Sequence, residues 1–351
     1  PSAYFHTQLY TGDGSSNNAI TNDANSGDFK PDWLWIKSRS YSDLHQVFDS
    51  SRGRDKRIFP NLTNAEGDSS PDNFLKSFDT DGFTTGNDAG MNTSSGTLVA
   101  WQWKCNGGST TSFSASGAQL AGTRQSNTTA GFSIITYTGD GNNNATIPHG
   151  LSSAPKWVVI KDRGNATNWY VGHKSLFTTG EIFLNLQNAV AAAFGPFNKT
   201  APTASNIVLG TDGNVNGSND TMICYAFAEV QGYSKFGSYK GNGESNGAFI
   251  YTGFQPAWIM LKRSDSSTNG DWTIYDNKRS NIGNGDNENN DFLRANDSAV
   301  EASASGIDIL SNGFKMRSTS SRHNANDSSY IYMAFAKHPF VSSKGVPVTA
   351  R

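Results

Sequence analysis

The chain has 351 residues, a net charge of −2 and only 17% charged side chains, so it lacks the basic field that nucleic acid or an anionic membrane surface would require. Apolar residues make up 35% and aromatics 12%, with 36 glycines, which favours thin aromatic layers joined by turns over a helical core. No apolar run approaches the roughly 18 residues that cross a bilayer and no secretion signal is readable, so neither membrane insertion nor export is expected.

Residues 1–105 read as one β-rich unit. The glycine-rich stretch YTGDG, Tyr10 to Gly14, is a turn after a strand, and Pro31 introduces the apolar run Trp33-Leu34-Trp35-Ile36-Lys37. Such a run fits a strand covered on both faces, with proline at the start where no ladder hydrogen bond is needed. Strands are then expected at His45–Asp49 and Ile58–Asn61, a tight turn at Asp81-Gly82, and a closing strand at Leu98–Lys104. Alternation in that last strand puts Val99, Trp101 and Trp103 on one face, a core face. Residues 106–129, rich in Gly, Ser, Thr and Gln, read as a linker or long loop.

The same landmarks then return in order. Within residues 130–231 they are YTGDG again at Tyr137–Gly141, Pro155–Lys161, Trp169–His173, Ile182–Asn185, a turn at Asp212-Gly213 and a closing strand at Met222–Ala228. Leu186–Ala193 is the best helix candidate of the chain, and it is short. Within 232–340 they are YKGNG at Tyr239–Gly243, Pro256–Lys262, Trp272–Asp276, Phe292–Asn296, a turn at Asn312-Gly313 and Tyr330–Ala336. The expectation is an all-β protein of three repeated antiparallel β-sandwich, jelly-roll-like units of about 100 residues each. Residues 341–351 form a tail expected to lie against another chain. GNGESNG, Gly241 to Gly247, resembles a dinucleotide fingerprint but leads into the strand Phe249-Ile250-Tyr251 instead of a helix, which removes that reading.

Few residue sets could carry chemistry. Asp49, Arg52 and Glu66 recur as Asp276, Arg279 and Glu301, while the middle unit has His173 and Val190 at the carboxylate positions and no matching arginine. Paired carboxylates could act as acid and base on a glycosidic bond. An arginine between them lowers both pKa values, so the trios are expected to be structural pins. Asp212, Asn214 and Asn216 with Gly217 match half of an EF-hand loop, but Ile223 stands where a bidentate Glu is required; a hairpin turn is preferred over a weak Ca²⁺ site. GNGDNENND, Gly283 to Asp291, has the same standing. Trp169 and Trp272 could stack on sugar rings if exposed, although their strand positions favour core packing. The six histidines lack zinc spacing, Cys105 and Cys224 read as buried and incidental, and no nucleophile elbow occurs, so no enzyme and no cofactor is expected.

The phrases GSYKGNG, FIYTGFQPAWIMLK, WTIYDNKR, LSNGF and YIYMAFA, with the ending PFVSSKGVPVTAR, resemble a recurrent module of tailed-bacteriophage and prophage structural proteins, a domain of unassigned function found around tail fibres. The resemblance is closest over Gly232–Arg351 and extends, more degenerate, over nearly the whole chain. It implies a virion protein assembled in the host cytoplasm, partnered by other virion proteins and by copies of itself, with a host surface glycan as a further candidate partner. A tail-fibre or tail-associated part engaged in assembly and host attachment is the expectation; a head decoration and a carbohydrate-binding or, less so, carbohydrate-cleaving module are the alternatives.

Overall fold

The tryptophan-bearing runs are apolar on both sides of their pleat, and in the computed structural model both sides are covered. The structure describes residues 2–23, 29–68, 73–192, 195–280 and 288–337. Among these the only helices are α1 (Ala89–Asn92) and α2 (Gly213–Asn216); everything else regular is strand. The protein is all-β.

The first strands are β1 (Phe5–Thr11), β2 (Asn18–Thr21), β3 (Trp33–Ser38), β4 (Gln46–Asp49), β5 (Gly53–Ile58), β6 (Gly67–Asp68), β7 (Leu75–Asp79), β8 (Gly82–Thr85) and β9 (Thr97–Trp103). Then come β10 (Thr111–Phe113), β11 (Gly122–Asn127), β12 (Phe132–Thr138), β13 (Ala145–Pro148), β14 (Trp157–Asp162), β15 (Tyr170–His173), β16 (Ile182–Phe183), β17 (Asn206–Leu209) and β18 (Thr221–Phe227). The last are β19 (Ser234–Lys240), β20 (Phe249–Tyr251), β21 (Pro256–Arg263), β22 (Trp272–Asp276), β23 (Glu288–Arg294), β24 (Ala302–Leu310), β25 (Gly313–Met316) and β26 (Ser329–Ala336).

Three large antiparallel sheets share one internal order: β1-β9-β3-β4, β12-β18-β14-β15 and β19-β26-β21-β22. Their registers agree too, because Trp33, Trp157 and Trp258 lie opposite Trp103, Phe227 and Phe335 on one side and Asp49, His173 and Asp276 on the other. Period-two alternation sends the two faces of each central strand to different cores. One face (Trp33, Trp35, Trp101, Trp103; Trp157, Val159, Tyr225, Phe227; Trp258, Met260, Met333, Phe335) enters a single cluster common to all three sheets. The opposite faces make three separate cores, one under each sheet, with Leu34 and Ile36, Val158 and Ile160, or Ile259 and Leu261. The all-β, antiparallel sandwich expectation is met, and the packing adds a feature that the sequence did not show. Each sheet has its own outer core, but the inner faces meet in a shared aromatic hub, where Trp33 stacks on Tyr225 at 4.7 Å, Trp103 meets Trp258 at 5.5 Å and Trp157 meets Trp272 at 5.5 Å between ring centroids.

Three local expectations also change. The segment 106–129 is not simply a linker, since β10 and β11 add two strands to the second sheet. Leu186–Ala193 does not form a helix over its described residues, because Glu181 and Ala191 pair as a β-bridge and hold the chain extended there. Asp81-Gly82 and Asn312-Gly313 do close hairpins, with Gly82 at φ +106, whereas Asp212 caps α2. The tail 341–351 and the first part of Gly283–Asp291 lie outside the described residues.

Candidate functional site

The glycine-rich loops are anchored in one way at three places. Tyr10, Tyr137 and Tyr239 each donate their hydroxyl to a backbone carbonyl, that of Met91, Val215 or His323, at 2.6–2.8 Å. The next residue in each case is a fully buried asparagine, Asn92, Asn216 or Asn324. Its Oδ1 accepts the amide of Asp13, Asp140 or Asn242, and its Nδ2 donates to loop carbonyls such as Gly86 and Ser15, Gly210 and Asn142, or Ser318 and Glu244. Gly14, Gly141 and Gly243 sit at φ +70, +75 and +72, which a side chain would resist. Gly12, Gly139 and Gly241 run so close to the backbone around Thr93, Gly217 and Ala325 that a Cβ would collide with it. The loop is a clamp for its own sheet and holds no phosphate-type cradle on a helix.

Between the sheets a second set of contacts closes a ring. Trp169 Nε1 donates to the Phe59 carbonyl at 2.9 Å, Trp272 Nε1 to the Phe183 carbonyl at 2.7 Å, and the His45 Nε2 bonds the Arg294 carbonyl at 2.9 Å. Thus the second sheet grips the first, the third grips the second and the first grips the third. The backbones repeat this circuit: Glu66 N to Arg163 O, Val190 N to Ser264 O and Glu301 N to Arg39 O, at 2.8–2.9 Å. Asn61, Asn185 and Asn296 fix the gripping residue by accepting the amides of His45, Trp169 and Trp272. Head-to-tail contacts that close on themselves after three steps have the logic of a threefold ring, here within one chain.

The charged trios lie in two of the three interfaces. Arg52, with no exposed side-chain surface, donates Nε to Asp49 at 2.5 Å and Nη1 to Glu66 at 2.7 Å, and Tyr225 from the next sheet donates its hydroxyl to Asp49 at 2.7 Å. Arg163, also from that sheet, forks onto Glu66 at 2.8 and 2.9 Å. In the third-to-first interface Arg279 binds Asp276 and Glu301 in the same way, Trp101 Nε1 donates to Asp276 at 2.9 Å and Arg39 forks onto Glu301. Burial by itself would raise the Glu66 carboxyl; the bonds and charges of Arg163 and Arg52 outweigh it and hold the group below its ordinary range. Held so, Glu66 is an anion at neutral pH and cannot deliver a proton. The middle interface has His173 and Val190 in place of the carboxylates, and Met333, with no proton to donate, stands at the register position of Tyr225 and Trp101.

Three lysines end the central strands and are buried: Lys37, Lys161 and Lys262. Each points its ammonium at carbonyls of the following loop, for example Lys161 to Asp162 and Asn165 and Lys262 to Gly270, and Lys262 also reaches the Leu186 carbonyl from the neighbouring unit. Burial pushes them down, to about 8, about 8 and about 7 respectively. They cap loops from beneath.

The remaining residues singled out in the sequence fall as follows. Trp169 and Trp272 are 1% and 0% exposed, so the glycan-stacking expectation is corrected: their indoles are sealed between sheets by the ring contacts above. Asp212 Oδ1 is engaged by the amide and side chain of Asn214, and Asn216 is the buried clamp whose Oδ1 accepts the Asp140 amide, so two of the three expected ligands spend an oxygen on the loop itself. No cluster of three His, Cys, Asp or Glu side chains with metal-holding geometry occurs among the described residues. Cys105 and Cys224 are buried thiols, both raised by burial. Sequence reasoning overlooked Arg39, Arg163, Tyr225 and Trp101 at the interfaces, and the clamps Asn92, Asn216 and Asn324. The clamps had a signal: each stands five residues before its closing strand, at Thr97, Thr221 and Ser329.

A family model described as a domain of unknown function (DUF7483) matches residues 1–339 of the 351, and the chain belongs to that family. No curated protein and no solved structure matches it. No helix among the described residues is long and apolar enough to cross a membrane.

Proposed function

We propose that this DUF7483 protein is a structural and interaction component of a tailed-bacteriophage particle, a tail-fibre-associated or tail part that assembles with other virion proteins and with copies of itself and contributes to host attachment. The sequence resemblance supplies the phage context. The observation that carries the non-enzymatic part is the placement of the arginine–carboxylate trios. Arg52, Asp49, Arg279 and Asp276 have no exposed side-chain surface and join one sheet to the next, so the groups best suited to acid–base work are engaged in cohesion. A rigid closed ring with polar loops around it suits a part that must hold shape under load. The carbohydrate-binding alternative loses the two indoles on which it rested.

Antibody labelling of purified particles from the phage or prophage that encodes the chain tests the proposal. Gold at the tail or its fibres is the expected result. Gold on the capsid replaces the tail assignment with a head decoration, and absence of the protein from purified particles by mass spectrometry overturns the virion reading.

A further inference from the structure

Beside each glycine loop runs a short strand, β2, β13 or β20, which turns an isoleucine inward: Ile20, Ile147 and Ile250 pair with Phe83, Ile207 and Phe314. The outer edges of these strands are treated differently. On β13 the edge is filled, since Thr146 donates its amide to Ala118 O at 2.7 Å and accepts from Leu120 N at 3.0 Å in a parallel bridge, and Leu120 is buried. On β20 no strand occupies that edge among the described residues. Its inner side bonds β25 through Met316 N to Ala248 O and Thr252 N to Asn312 O. Antiparallel alternation therefore turns the amides and carbonyls of Phe249 and Tyr251 outward.

The side chains at these positions differ as well. On the face opposite Ile250, Phe249 is 47% and Tyr251 60% exposed, whereas β2 carries the small residues Ala19 and Thr21 in the corresponding register. Free strand edges are ordinarily blunted by charge, proline or small polar residues, because an open edge recruits another strand. β20 is short but carries two aromatic rings instead. A cleft of about 410 Å³ opens at its end, lined by Tyr251, Thr252, Gly253, Gln231 and the Glu229–Lys235 ion pair.

We propose that β20 is a strand-addition site that takes an extended polypeptide segment of another protein chain, laid parallel to it as Ala118–Leu120 is laid on β13. The Phe249 amide and carbonyl bond the incoming backbone, an inward apolar side chain takes the role of Leu120, and the two rings cover the outer face of the added strand. The cleft at the end of β20 accepts a polar side chain against Gln231 and the ion pair. The inference rests on the interaction reading but not on the virion assignment.

A labelled peptide of residues 114–121 of this chain, the segment that fills the β13 edge, is the probe. Saturable binding to the whole protein is expected, with slowed amide exchange at Phe249 and Tyr251. Phe249→Pro removes the outward amide without taking a bond from β25 and should weaken binding at least tenfold with melting unchanged. The pair Phe249→Thr and Tyr251→Ser, which keeps the backbone, should weaken it less. Failure of the peptide to bind, equal binding by all variants, or exchange protection confined to residues 145–147 overturns the proposal. So does binding of chitotriose that is lost with Tyr251→Ser and kept with Phe249→Pro, which would make the face a sugar platform.

Discussion

Replacing Arg52 by Ala should separate the first sheet from the second more than any exposed substitution can. The Arg52 side chain has no exposed surface and bonds Asp49, Glu66, the Lys56 carbonyl and the Tyr225 hydroxyl. Its removal leaves Asp49 with only the amides of Ser51 and residue 52 and the Tyr225 hydroxyl, and Glu66 with Arg163. Breaking a buried ion pair from one side costs about 3–5 kcal/mol, and the donors that remain place this case toward the lower end. Unfolding entropy of about 2.1 cal/mol/K per residue gives roughly 0.7 kcal/mol/K for a chain of this length, so the melting temperature should fall by about 4–7 °C if the chain unfolds as one unit. Arg163→Ala is the control, since that side chain is 22% exposed and its fork onto Glu66 is worth about 1 kcal/mol. The pH dependence follows from Glu66. Its folded pKa lies below the ordinary 4.5, so its contribution is present above about pH 4.5 and is lost as pH falls through the lower folded value. Glu66→Gln should therefore be less stable than the native chain at pH 7 and approach it in acid. Scanning calorimetry of the three variants measures all of this. An Arg52→Ala protein that melts within about 1 °C of the native one would refute the view that the trio holds the interface.

Asn216→Ala deletes bonds to Asn142 O, Gly210 O and Asp140 N, at about 1 kcal/mol each, so urea denaturation should show a loss of about 3 kcal/mol. Gly139→Ala, which drives a methyl into the Gly217 carbonyl, should destabilise more than Gly141→Ala, where a methyl meets only ordinary contacts and φ +75 sets a cost of about 1 kcal/mol; the same denaturation curves rank the two. Lys262 is held down to about 7 against an ordinary 10.5, so the folded chain binds fewer protons than the unfolded chain between those values and the native protein gains stability as pH rises across that window. Lys262→Met lacks this gain, and its stability relative to the native chain should fall between pH 7 and 10; parallel curves would contradict the lowered pKa of the buried lysine.

The sequence by itself determined the central strands of each unit. Proline, an apolar run and a terminal lysine marked β3, β14 and β21, and alternation in β9 named the inward residues Val99, Trp101 and Trp103 correctly, because a pleat leaves a side chain only two directions. It also exposed the Asp-Arg-Glu spacing, a local pattern within one part of the chain. It could not show that Trp169 reaches Phe59, that Arg39 meets Glu301, or that Tyr225 and Trp101 answer Asp49 and Asp276, since those partners are 110, 262, 176 and 175 residues apart. Nor could it tell that 111–113 and 122–127 are strands, whose weak polar pattern becomes sheet only because β12 offers an edge to pair with. Turn dipeptides misled at Asp212-Gly213 because aspartate serves a helix N-cap as readily as a hairpin, and only the chain that follows decides between them. Local periodicity fixes which face of each strand is buried. Which sheet it is buried against, and therefore that three sheets close into a ring, is decided by packing over the whole molecule.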